Sequence, residues 1–146
     1  MDDVVFGREP VTDGPWSTWY LPIRVNGRPL EELVRVVEQP FATEEGNPQL
    51  AGSYQPLTLW QIGGDKTHFL DQPRASWFDD GDTVLMGCGC GEWGCWPLTA
   101  QVAVGATYVV WSGFRTGHRD WDLSALGPFE FARADYVEAL MTIAQG

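Results

Sequence analysis

The stretch from Leu98 to Trp111 leaves this chain few options. Residues 98–104 and 107–111 are rich in β-branched and aromatic side chains and flank Gly105-Ala106. Two such runs around a two-residue turn read as an antiparallel hairpin. Gly105 stands at the first central position, where a type II′ turn needs a positive φ that glycine adopts without strain. An antiparallel sheet is therefore expected, and any helices must bury their apolar stripes against it.

Two helices are expected. Pro29 suits a first helical turn, Leu30, Leu33, Val34 and Val37 follow at helical spacing, and Pro40 marks the stop, so the first helix is placed at residues 29–38. Glu31 and Glu32 then lie beside its positive N-terminal dipole. Ala134, Val137, Leu140, Met141 and Ala144 form an apolar stripe for a terminal helix at 132–144. Residues 17–25 favour β structure and end in an Asn26-Gly27 turn; 57–62, 66–70 and 83–86 read as further short strands. Asp79-Asp80-Gly81-Asp82 reads as a turn, residues 40–56 as the longest irregular segment, and Phe129 to Phe131 as an extended piece after Gly127-Pro128. Seventeen glycines and ten prolines are scattered among short apolar runs, with no internal repeat or long linker. The expectation is one loop-rich α+β domain over 1–146, an antiparallel sheet with two helices packed on it.

Charge narrows the partners. Twenty carboxylates against nine Lys and Arg give a net charge of −11, and the basic residues form no stripe. Such a chain repels phosphate backbones and anionic bilayers, so neither nucleic acid nor membrane is expected as a partner. The first residues, Met1-Asp2-Asp3, lack the basic and apolar regions of a secretory signal, which suggests a cytoplasmic protein with reduced cysteines. A chain of 146 residues removes roughly 68–70% of its unfolded surface from water on folding, so it needs no metal merely to fold.

The densest chemistry lies in Cys88-Gly89-Cys90-Gly91-Glu92-Trp93-Gly94-Cys95-Trp96-Pro97. One reading has no cofactor, with three thiols packed in a glycine-rich turn. The alternative is zinc held by Cys88, Cys90 and Cys95, with His118, or else His68, brought in by the fold as fourth ligand. A further alternative, a cysteine-dependent enzyme, would combine Cys95 with His118 and Asp120 or Asp122, although nothing in the sequence places the base within reach of the nucleophile.

The second dense stretch, 111–122, interleaves Trp111, Phe114 and Trp121 with Arg115, Arg119 and two aspartates. Arg and Trp are favoured anchors in interfaces. With the acidic turn of Asp79, Asp80 and Asp82, these residues suggest an acidic interaction module that neutralises a basic protein partner. Its expected partner-binding residues are Asp79, Asp80, Asp82, Trp93, Arg115, Arg119 and Trp121; of the eight tryptophans, Trp93 and Trp121 are the pair expected at the surface. Ile23-Arg24-Val25-Asn26-Gly27, the Cys-x-Cys-Gly-x-x-Gly-Cys-Trp-Pro-Leu segment of 88–98, His118-Arg119 and Gly127-Pro128-Phe129 resemble a family of small bacterial proteins of uncharacterised activity. The resemblance implies a single bacterial domain and carries no cofactor or catalytic residue.

Overall fold

The computed structural model describes residues 1–11, 18–90 and 92–144. Five strands come early: β1 (Val4–Phe6), β2 (Glu9–Pro10), β3 (Trp19–Tyr20), β4 (Ile23–Val25) and β5 (Arg28–Pro29). Helix α1 (Leu30–Glu44) follows, then β6 (Gln55–Pro56), β7 (Thr83–Gly87), β8 (Leu98–Val104), β9 (Tyr108–Thr116), β10 (Phe129–Ala132) and α2 (Arg133–Ala144). The main sheet is antiparallel, in the order β10-β9-β8-β7-β6. A smaller antiparallel sheet joins β1, β4 and β5, and β2 pairs with β3. The fold is α+β, as the sequence suggests.

The central hairpin of β8 and β9 forms, but its turn lies one residue later than expected. Gly105 N–H donates to Tyr108 O at 2.8 Å, which centres the turn on Ala106-Thr107, and neither Gly105 nor Ala106, now the first central residue, has a positive φ, so the turn is not type II′. Strand β9 also runs on past Trp111. Val109 and Trp111 point inward, then Phe114 and Thr116 do, so the inward face moves from odd to even positions. Gly113 makes that change: at φ +61 it places an extra residue opposite β8 between the pairs Thr99↔Arg115 and Gln101↔Ser112.

The core forms around Trp111, Phe6, Phe69, Phe131 and Tyr136, all at most 1% exposed. Their rings meet edge-on or tilted at 5.0–6.3 Å. Trp111 Nε1 donates to Tyr136 Oη at 3.1 Å, and Tyr136 Oη donates to Phe69 O at 2.6 Å, so the buried polar atoms of this cluster are satisfied. Tyr136 also decides which face of α2 is inward. Tyr136, Leu140 and Ile143 are buried, whereas Val137 and Met141 of the expected stripe are 37% and 48% exposed. Two apolar stripes compete on this helix, and the one holding the large ring with a buried hydrogen-bond partner wins.

Helix α1 passes through Pro40 rather than stopping before it, to Glu44. A proline there removes a hydrogen bond to the carbonyl of Val36, at a cost of about 3 kcal/mol in a helix interior. Val36 is 66% exposed, so water reaches that side, while Glu38 and Ala42 on the inner face are fully buried and hold the helix in place. The strands expected at 57–62 and 66–70 are instead 3-10 turns, Trp60–Ile62 and Lys66–Phe69. Gly63 at φ +66 ends the first. The Asp65 carboxylate starts the second by accepting from Thr67 N at 2.9 Å. The 17–25 strand is two pieces, β3 and β4, broken at Leu21-Pro22, with Ser17 outside the described residues.

Candidate functional site

The main sheet itself places the cysteines. Met86 of β7 faces Leu98 of β8, so the segment between them must fold back on itself and bring Cys88 opposite the Cys95-Trp96 end. A 3-10 turn at Trp93–Cys95 completes the return. Gly87 is required here: a Cβ on it would lie 2.6 Å from the Trp93 Cα, closer than any side chain tolerates.

The three sulfurs of Cys88, Cys90 and Cys95 all lie within 4.8 Å of one another. Cys90 and Cys95 are exposed and their Sγ atoms are 3.3 Å apart; Cys88 is half-buried. The Cys90 thiol also points at Glu92 O, 3.7 Å away. The surroundings of the two exposed thiols divide them. Hydrogen bonds, first from the Glu92 backbone and then from the neighbouring sulfurs, draw the Cys90 thiol below its ordinary range. The bond to Cys90, followed by desolvation and the neighbouring negative charges, pushes Cys95 up to about 11. Neither Lys nor Arg occurs between Cys88 and Cys95.

His118 does not join the sulfurs. Its Nε2 is 2.8 Å from Gly94 O, and its ring is stacked on Trp96 at 6.2 Å and tilted against Trp77 at 4.7 Å. The imidazole therefore supports the turn's backbone rather than completing a fourth ligand, and the pairing of Cys95 with His118 and an aspartate is not formed. His68 is further removed from ligand duty: buried, it receives Arg74 N–H on Nδ1 at 3.0 Å and its Nε2 is 2.7 Å from Val84 O. With Nδ1 accepting, Nε2 carries the proton and the ring is neutral; burial lowers its pKa from 6.5 to about 4.

Aromatic rings wall the cysteine turn. Trp77 meets Trp93 edge-on at 6.4 Å and donates from Nε1 to Gly117 O at 2.9 Å. Behind the turn, Trp96 stacks on Tyr54 at 6.4 Å. Tyr54 Oη donates to the buried Glu38 carboxylate at 2.5 Å, and Gly52 N–H donates to its other oxygen at 2.8 Å. On a third side, Arg119 lies over the Trp96 ring at 5.2 Å and pairs with Glu45 at 2.8 Å, the same carboxylate that accepts from Trp121 Nε1 at 3.1 Å. The end of α1 is thus tied to the loop after β9.

Most of the residues expected to bind a partner are engaged within the molecule. Asp82 is fully buried, not a surface charge; it accepts from Ser76 Oγ at 2.5 Å, Trp77 N at 2.9 Å and Phe78 N at 3.1 Å. Asp80 takes Arg115 Nη2 on both oxygens at 3.0 and 2.9 Å, and Arg115 lies over the Phe78 ring at 3.8 Å. Asp79 is exposed, in the left-handed region at φ +56. Trp93 and Trp121, expected as the exposed pair, are partly buried against the core, whereas Trp60 is 70% and Trp77 37% exposed.

Sequence reasoning missed Trp60, because the apolar run around it reads as a strand. Together with Tyr20, Gln55, Pro56, Trp93 and Cys88 it lines a cavity of about 330 Å³ beside the cysteine turn, within the range of small-molecule sites. The Gly63-Gly64 pair that turns the chain after Trp60 is the local signal that could have shown the ring to be on a turn. Among the described residues no helix is long and apolar enough to cross a membrane. No protein family, curated protein or solved structure matches this chain.

Proposed function

We propose that the chain is a small metal-binding protein in which Cys88, Cys90 and Cys95 hold a zinc ion. The observation that carries this reading is the convergence of three sulfurs within 4.8 Å, the number and type of donor that a soft, borderline ion such as zinc takes. Three neighbouring thiols in a segment without Lys or Arg resist losing their protons together. A divalent cation supplies the missing positive charge and favours the thiolates. His118 stays on Gly94 O, so the fourth position falls to water or to a molecule in the adjoining cavity, which Cys88 also lines. The test is the metal content of protein refolded with zinc: one ion per chain, retained on desalting and lost in Cys95→Ser and Cys88→Ser. Wild-type binding no tighter than that of a chain lacking all three thiols sinks the reading.

A second reading, capture of a basic protein, is favoured by a different observation. Trp60, Trp77 and Trp93 surround Glu92 at an open hollow, and two of these rings meet at 83°. Perpendicular indoles beside a carboxylate suit the cationic head of a partner's Arg or Lys side chain. Titration with an arginine-rich peptide should quench tryptophan fluorescence less at high salt and less in Trp60→Ala; a response indifferent to both removes this reading.

A further inference from the structure

We propose that Cys90 and Cys95 form a reversible dithiol–disulfide couple in which Cys88 takes no part. Their sulfurs lie 3.3 Å apart, and a disulfide bond of about 2.05 Å requires them to close by little more than an ångström. The pair lies five residues apart in a connection anchored at both ends by the pairing of β7 with β8. Closing the bond therefore displaces the turn and not the sheet. Both thiols are exposed, so an oxidant and a reductant reach them, whereas Cys88 is half-buried against the cavity.

A hydroperoxide is the oxidant this arrangement suits. One thiolate attacks the outer peroxide oxygen, the O–O bond breaks, and the alkoxide leaves with a proton as an alcohol, or as water from hydrogen peroxide; the sulfur becomes a sulfenic acid. The second thiolate then attacks that sulfur, the S–O bond breaks, and hydroxide leaves with a proton as water. In sum, two thiols and one hydroperoxide give one disulfide, one alcohol and one water. A dithiol reductant reverses the bond by thiol–disulfide exchange. Where the zinc reading also holds, the same step withdraws two of the three sulfur ligands and frees the ion, and a bound ion shields the thiols.

The experiment is peptide mapping of metal-free protein treated with stoichiometric hydrogen peroxide, with remaining thiols alkylated before digestion. The expected product is a monomer that has lost two hydrogens, linked Cys90 to Cys95, with Cys88 alkylated and full reversal by dithiothreitol. Cys88→Ser should give the same link, while Cys90→Ser and Cys95→Ser should give no such monomeric link. A bond through Cys88 at comparable yield, or oxidation that stops at sulfenic or sulfinic acid in the wild type, overturns the proposal. Repeating the oxidation after zinc addition separates the two ideas: disulfide formation unaffected by zinc leaves the couple intact and counts against the metal, whereas zinc binding by a protein that forms no Cys90–Cys95 link when metal-free defeats the couple alone.

Discussion

Strand β7 has a turn rich in reactive side chains at each end, and the two turns behave oppositely. The chain enters from the acidic turn of residues 79–82 and leaves into the cysteine turn of residues 88–95. In the first, polar groups find partners inside the molecule: Asp82 accepts from Ser76, Trp77 and Phe78, and Asp80 pairs with Arg115 and Gln101. In the second, the exposed thiols of Cys90 and Cys95 have chiefly each other and the Glu92 carbonyl. Both clusters look equally reactive as strings of letters. The Cys90 and Cys95 thiols can turn to an outside ligand, whereas Asp80 and Asp82 must first break the bonds that already fill them.

Removing Asp82 produces the largest effect. Its carboxylate is buried and satisfies two backbone N–H groups and a hydroxyl. Asp82→Ala orphans these donors and should cost about 3 kcal/mol in denaturant unfolding, from charge-assisted hydrogen bonds lost and amides left unpaired. A loss under about 1 kcal/mol would remove the distinction between the two turns. There is also an acid signature. Burial raises the Asp82 pKa, but the bonds from Ser76, Trp77 and Phe78 together outweigh it and hold the carboxyl below 3.8. An acid with a depressed folded pKa contributes stability that is present above its unfolded pKa and lost as pH falls through the folded one. Asp82 therefore acts below about pH 4. His68 acts in the window above: its folded pKa is depressed, so its contribution is intact above 6.5 and is lost as pH falls from there to about 4. Asp82→Ala should keep the His68 slope and lose part of the steeper fall below it.

How much of this was legible in the sequence follows the same division. Local signals worked where one residue type decides the backbone: Asn26-Gly27 turns the chain between β4 and β5, and the turn of 79–82 and the strand after it form as read. They failed where tertiary partners chose between local options. Pro40 lost to the anchoring of Glu38 and Ala42, and the Met141 stripe of α2 lost to Tyr136, whose hydroxyl bonds Phe69 O, 67 residues away in sequence. The cysteine cluster was legible because its members lie within one short connection. Its surroundings were not: Glu45 meets Arg119 across 74 residues, and His118 meets Gly94 O across 24. No spacing rule announces that the imidazole is engaged by a carbonyl instead of a metal.

The smallest expected effect is the sharpest comparison. Cys95 is exposed and its thiol meets a neighbouring sulfur, so in metal-free, reduced protein Cys95→Ser should change stability by less than about 0.5 kcal/mol, the range of ordinary surface substitutions. The difference should emerge only on adding zinc. A ligand that binds the native state alone stabilises it by about 2.7 kcal/mol at one hundred times its Kd, so wild-type Tm should rise with zinc concentration while that of Cys95→Ser stays flat. Equal rises would mean that the added zinc acts elsewhere on an acidic surface. If instead the metal-free variant is destabilised as strongly as Asp82→Ala, the thiols are structural in the way the aspartates are, and the two ends of β7 are alike after all.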